Sequence, residues 1–386
     1  MKQKRAYKYR LYPTEVQKRI LAQTFGCCRY VYNWALRLRT DAYYKENKRL
    51  YYNDMSAALT QLKKQAEMRW LTDVSSVALQ QALRHLDRAF LNFFEGRGNY
   101  PVFKKKRNQQ SATYADTAFT WDGKHLTLAK MADPLDIRWS RPLPKGARPS
   151  TVTVTKDCAD RYFVSILVEE EIKQYEPSAQ SIGADLGLKN FVILSTGETV
   201  GNPTFFHKDE KKLSKAQRKL AKKKKGSKNR AKARRRVARI HARIADRRRD
   251  FLHKLSTRLI RENQTVCVET LAVKNMVKNP KLSKAISDVG WSEFVSQLEY
   301  KAEWYGRNLA KIDKFYPSSK RCFNCGYILD SLSLDIRHWV CPECGVAHDR
   351  DVNAARNIHA AGLTVFEACG EAVRPGRVKA RTGKPQ

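Results

Sequence analysis

Two sets of residues in this 386-residue chain have the types and spacing for metal chemistry. The first is Cys322 and Cys325, then fifteen intervening residues, then Cys341 and Cys344. Two CxxC pairs present four thiolates to the tetrahedral geometry that Zn²⁺ prefers, and Gly326 and Gly345 behind each pair suit the turns of a zinc ribbon. With all four positions filled by protein there is no place for water, so this metal is expected to be structural. The second set is three acids: Asp185 in GADLGLKN, Glu269 in VCVETL and Asp351 in HDRDVNAARNIHA. The first two end apolar strands. The third opens a helix whose Ala354 and Ala355 permit close packing on a sheet. Acids converging from such positions suit a two-metal phosphodiesterase site, in which two Mg²⁺ roughly 3.5 to 4 Å apart activate water and stabilise the leaving oxygen. Asp349 competes for the third role, but residues two apart on a helix face opposite ways. Asp351 is preferred because Asn353, Ala354, Ala355 and Asn357 extend its segment. Arg350 is a candidate contact to the scissile phosphate, with an ordinary surface charge as the alternative.

These groups need elements to hold them. KYRLYP reads as a strand stopped by Pro13, followed by helical spacing through VQKRILAQTFGCCRYVYNWALRL and a second helical region from Met55 to Phe94. Leu79, Leu83, Leu86 and Phe90 form one stripe there, expected to pack between helices. VTVTKDCADRYFVSILVEE reads as a hairpin with Tyr162, Val164, Ile166 and Val168 on one face and DCAD as its turn. The first strand has no partner nearby in sequence, so it is expected to join this later β-region, leaving the helices as an insertion. SIGADLGLKNFVILSTGETV reads as two strands about a Gly-containing bend. WSEFVSQLEYKAEWYGRNLAKI reads as a helix with Phe294, Leu298, Tyr305 and Leu309 along its stripe.

The charge points to the partner. Lys and Arg number 75 against 38 Asp and Glu, a net +37. Such an excess repels itself and calls for a large polyanion. If about 6 to 10 of these cations touch phosphate, affinity falls by roughly 10³ to 10⁵ between 50 and 200 mM salt. Residues 211 to 250 are densest in cations, with apolar residues recurring between them. They are expected to form a long helix or a helical hairpin broken near Gly226 that lies along nucleic-acid backbone, with Lys222, Lys223, Arg234 and Arg235 as contacts; a disordered basic segment is the alternative. Nine cysteines, five of them scattered outside the pairs, and no secretory pattern argue for a reducing interior and against a disulfide framework. No apolar run is long enough to span a membrane, so a soluble intracellular protein is expected.

KYRLYPT with FGCCRYVYN, SSVALQQALRHLDRAF, YPVFKKK, GADLGLKN, VETL, the CxxC pairs and DRDVNAARNI together resemble the TnpB family of transposon-encoded RNA-guided nucleases, relatives of the type V CRISPR effectors. The resemblance spans residues 1 to about 360. It implies a multi-domain α/β chain: an RNase H-like (RuvC) nuclease domain over 180–317 and 347–365, a zinc ribbon over 318–346, a wedge β-barrel over 1–12 and 101–175 interrupted by a helical recognition domain over 13–100, and a flexible tail over 366–386. It implies a guide RNA from the transposon end, double-stranded target DNA next to a short motif, Asp185, Glu269 and Asp351 as the Mg²⁺-binding catalytic acids, and the four cysteines as zinc ligands. Base pairing would read sequence while the protein holds backbone. Gln80 and Gln81, with Ser111 and Thr113, are candidate readers of the duplex motif, since Gln pairs bidentately with adenine; exposed polar residues of no special role are the alternative. Two other readings stay open: a DNA recombinase of the same fold class, for which no convincing helix-turn-helix signature is visible, and a guided DNA-binding repressor that has lost cleavage.

Overall fold

A computed structural model describes residues 2–333 and 335–368. The chain divides into two compact units, Lys2–Glu171 with Lys225–Arg239, and Ile172–Lys224 with Ile240 onward.

The first unit starts with strand β1 (Lys2–Leu11), and the helices α1 (Glu15–Glu46), α2 (Tyr52–Lys64) and α3 (Ser76–Phe94) follow. Pro13 stops the strand and Thr14 starts α1 through a capping box: its hydroxyl accepts from Gln17 N, and its own N–H donates to Gln17 Oε1. The second helical region is interrupted by a 3₁₀ turn at Ala66–Thr72. The expected stripe Leu79, Leu83, Leu86 and Phe90 is buried on α3. Strands β2 (Gln110–Ala115), β3 (Phe119–Trp121), β4 (Leu126–Leu128), β5 (Ile137–Arg138), β6 (Pro149–Lys156) and β7 (Tyr162–Glu171) come next. β1 pairs antiparallel with β7 along its whole length, from Lys2 opposite Glu171 to Leu11 opposite Tyr162, so the helices are inserted between neighbours of one sheet, ordered β2-β6-β7-β1-β5. Alternation along β7 buries Tyr162, Val164, Ile166 and Val168 in the same core as the α3 stripe. No described pairing joins β5 back to β2.

The second unit is built on a mixed sheet. Its strands β8 (Ser181–Leu186), β9 (Asn190–Leu194), β10 (Thr199–Gly201), β11 (Thr265–Glu269) and β12 (Asn308–Ile312) are ordered β10-β9-β8-β11-β12. β8, β11 and β12 run parallel, and β9 and β10 are added by antiparallel hairpins. Between them lie α4 (Phe205–Ala221), α5 (Lys228–Glu262), α6 (Val273–Met276), α7 (Ser283–Val289) and α8 (Trp291–Tyr305). The basic stretch is therefore two helices, broken where Gly226 takes φ 86°. A two-stranded β13 (His338–Val340) and β14 (Ala347–Asp349) precedes α9 (Arg350–Ala368).

Two expectations are corrected. The helix expected through Ile312 ends at Tyr305: Gly306 adopts φ 68° and closes it, and Leu309 lies on β12, paired with Val266, instead of on a helical stripe. The tail expected from residue 366 begins as helix through Ala368, and the rest of it lies outside the described residues.

Candidate metal centres

Alternation sorts β8 onto two faces. Ile182, Ala184 and Leu186 join a core with Leu252, Leu255 and Leu259 of α5 and Phe294, Leu298 and Ala302 of α8. Ser181, Gly183 and Asp185 point the other way, toward α9. Three contacts in step record this. Ser181 Oγ lies 2.7 Å from His359 Nε2. Gly183 lies so close that a Cβ there would collide with the Ala355 carbonyl oxygen and come within 2.6 Å of His359 Cβ. Asp185 feels the negative charge of Asp351. Residues 351, 355 and 359 are one helical stripe at i, i+4 spacing, laid along 185, 183 and 181 of the strand.

β11 runs parallel beside β8, with Val268 level with Ala184, so Glu269 comes level with Asp185. Val266 and Val268 enter the same core as Ile182. Cys267 faces α9, where a Cβ on Gly362 would lie 2.6 Å from its own Cβ. Glu269 shares that face by alternation. On the third side, Asp349 Oδ1 accepts from the N–H of both Asp351 and Val352 as the N-cap of α9. Asp351 is the acid whose charge reaches Asp185.

Burial raises Asp185 from 3.8 to about 8, reinforced by the charges of Glu269 and Asp351 and opposed by Arg350 and Arg337. Burial alone raises Glu269 from 4.5 to about 7. Among the described residues neither carboxylate has a hydrogen-bond or ion-pair partner. Two desolvated, unpaired carboxylates side by side fit a hard cation, which would supply the missing charge. Asp351 is engaged differently: Arg337 Nη1 donates to both its oxygens at 3.1 Å. The three acids do not close into a cluster as tight as the thiols, since among the described residues only the four cysteines bring ligand atoms all within 4.8 Å of one another.

The raised values carry a sign. Folding favours the protonated carboxyls, so this contribution to stability is fully present below pH about 4 and is lost as pH rises through about 7 to 8. Without added magnesium, the melting temperature should fall between about pH 5 and pH 9. Asp185→Asn should flatten that slope, and magnesium should reverse it at the alkaline end. Differential scanning fluorimetry across this range checks all three.

In the ribbon, the Cys322 and Cys344 sulfurs lie 3.6 Å apart and those of Cys325 and Cys341 3.5 Å apart. His348 Nε2 approaches Cys322 Sγ at 3.0 Å and its ring packs against Trp339, making a small core with Cys341. The Val346 N–H draws the Cys344 thiol down to about 6. Soft sulfur ligands in this arrangement fit zinc. Cys341→Ser should lower bound zinc from about one per chain to none and make the buried Cys322 thiol alkylatable, as metal analysis and thiol labelling would read.

Two side chains of α9 make contacts that the sequence reading did not assign to them. Asn353 and Asn357, one turn apart on α9, donate to the Arg321 carbonyl at 2.8 and 2.6 Å, and Asn353 Oδ1 accepts from Phe323 N, so they clasp the first zinc knuckle. The i, i+4 spacing of two buried amides was the available clue. Arg350 is 9 % exposed and its Nη1 donates to the Ser333 carbonyl at 2.7 Å, bracing the loop between the knuckles, while its charge acts on Asp185. Thr113 is 5 % exposed and its Oγ1 lies 3.1 Å from Thr153 Oγ1 on the neighbouring strand. Gln80 is exposed, Gln81 and Ser111 are part-buried, and Lys222, Lys223, Arg234 and Arg235 are exposed, Arg235 pairing with Asp160 at 3.1 Å.

Family models match most of this architecture. One described as a probable transposase, OrfB_IS605, matches residues 164–280, and one described as the Cas12f1-like TNB domain matches 291–358. A putative RNA-guided DNA endonuclease of Streptomyces pristinaespiralis is 56% identical over 382 residues, which cover 99% of this chain and 94% of that protein. This chain belongs to the TnpB family. Another relative of the TnpB chain, the putative RNA-guided DNA endonuclease InsQ of Escherichia coli K12, is 34% identical and covers 98% of this chain and 96% of its own. The fold is shared with a Cas12f1 chain solved by cryo-EM in a complex with sgRNA and target DNA, at a TM-score of 0.51 and 12% identity, over 93% of this chain and 99% of that one. A third model, described as a helix-turn-helix domain, matches residues 1–48, which in this TnpB chain are β1 and the single long helix α1. No helix among the described residues is long and apolar enough to cross a membrane.

Proposed function

We propose that this chain is an RNA-guided, metal-dependent DNA endonuclease that takes a guide RNA from its transposon end and cuts double-stranded DNA beside a short motif. Near-full-length identity of 56% to a putative RNA-guided DNA endonuclease carries the reading, because both candidate metal centres fall within the matched length. In it, residues 180–317 and 347–365 form an RNase H-like core, 318–346 a zinc ribbon, 1–12 and 101–175 a wedge domain and 13–100 a helical recognition domain. The strand order supports the first assignment: counted along the chain the sheet reads third, second, first, fourth, fifth, with the second strand antiparallel.

Asp185 and Glu269 hold Mg²⁺ from adjacent strands and Asp351 does so from the helix start. Bound magnesium supplies an activated water and charge stabilisation at the leaving oxygen. The sheet fixes two of the three carboxylates, so little reorganisation is left for the reaction itself. Gln80, Gln81, Ser111 and Thr113 remain candidate motif readers, and the basic helices α4 and α5 hold backbone phosphates. Zinc on the four cysteines is structural.

The test is plasmid cleavage by protein co-expressed with its flanking transposon-end RNA, with a guide-matched target beside a randomised motif. Magnesium-dependent cutting only of the matched plasmid is expected. Tight guided binding without cutting would instead favour a repressor, and cutting indifferent to the guide would sink the RNA-guided reading.

A further inference from the structure

In the first unit, Arg29, Lys106, Arg107, Lys156, Arg234 and Arg235 line a cavity of about 370 Å³. This falls within the roughly 300 to 1,000 Å³ of small-ligand sites. Its acids do not balance these cations: Asp160 is engaged by Lys156 and Arg235, and Asp157 by Arg161 and the backbone of its own turn. Among the described residues Lys106, Arg107 and Arg234 have no acidic partner, and Arg29 donates only to the neutral Gln110 Oε1. Cations gathered around a concave space favour an anion there.

The floor is of another character. It is formed by Ala22, Phe25 and Gly26 of α1. Gly26 is inside a 32-residue helix, where alanine would be the better residue, and a Cβ there would meet nothing within 4 Å. No neighbour in the chain therefore requires glycine at this position. The side-chain amide of Asn108 lines the same space and has no partner among the described residues.

We propose that this cavity holds one nucleotide of a bound strand, with its phosphate on Lys106, Arg107 and Arg234 and its flat base over the bare helix surface at Gly26, the amide of Asn108 reading its edge. The proposal deepens the nucleic-acid-binding part of the reading above and does not depend on cleavage. A phosphodiester from RNA or from DNA satisfies the same groups, so the test separates them.

Cys158 lines the cavity and is exposed, whereas Cys27, Cys28 and Cys267 are buried and serve as slow internal references. The full chain is labelled with N-ethylmaleimide alone, with a single-stranded RNA and with the same sequence as DNA, and Cys158 is followed by peptide mass spectrometry. With oligonucleotide at ten times its Kd, labelling of Cys158 should slow by about tenfold. Protection by RNA alone assigns the site to the RNA, protection by DNA alone to the DNA strand, and protection by both to either backbone. The paired substitutions Arg107→Ala and Arg234→Ala should remove the protection and reduce the steepness of the salt dependence of binding by about two. Unchanged Cys158 labelling while filter retention reports both oligonucleotides bound would overturn the proposal. Failure of the nuclease reading would register separately, as absent plasmid cleavage.

Discussion

Asp185→Ala should reduce guided plasmid cleavage by about 10³-fold or more, since on the proposed reading it removes a ligand from a metal centre worth several kcal/mol to the transition state and each 1.36 kcal/mol is tenfold. The loss should leave guide and target binding intact, because Asp185 lies at a strand end and its carboxylate anchors nothing else among the described residues. Asp185→Asn keeps the shape and should lose nearly as much. Single-turnover cleavage beside a gel-shift measurement separates the two steps. A variant that binds normally and cuts within tenfold of the parent would remove Asp185 from the catalytic set.

Gly183→Val should be the most damaging substitution to stability on the α9 face of the sheet. The first atom added meets the carbonyl oxygen of Ala355, a backbone atom of α9 that cannot rotate away, with His359 Cβ 2.6 Å off on the other side. Overpacking typically costs about 1 to 3 kcal/mol, and an unyielding backbone neighbour places this case at or above the upper figure. A loss of that size should lower the melting temperature by roughly 6 °C or more. Gly183→Ala should already show most of it, while Gly26→Ala, where the new methyl meets nothing, should leave stability equal or better. Cleavage by Gly183→Ala should fall as well, because lifting α9 moves Asp351 away from Asp185. Equal melting temperatures for Gly183→Ala and Gly26→Ala would contradict the contact.

The cysteine cluster was legible because paired CxxC motifs are a local pattern, and the strand-ending acids were legible as candidates for the same reason. The insertion of α1–α3 between β1 and β7 was readable too, because an orphan strand needs a partner. Leu309 was misread because apolar spacing in NLAKI is compatible with either period over five residues, and Gly306 was the stronger signal. The surroundings of Thr113 and Arg350 were not readable for a different reason. A polar residue's availability depends on partners distant in sequence, Thr153 in one case and the Ser333 carbonyl in the other. The same holds for Arg337, whose link to Asp351 crosses the second knuckle.

That link runs between the two candidate metal centres. Arg337 stands between the knuckles and grips Asp351, while Asn353 and Asn357 of the same helix clasp the first knuckle. If the cysteines hold zinc and the acids magnesium, as proposed, the two sites are expected to be heterotropically coupled, since order at the ribbon fixes the helix start that presents Asp351. Removing zinc should weaken magnesium binding, and by reciprocity magnesium should tighten the hold on zinc. Titrating magnesium by calorimetry into zinc-loaded and zinc-stripped protein would read the coupling constant directly, and identical affinities would mean that the two sites are independent.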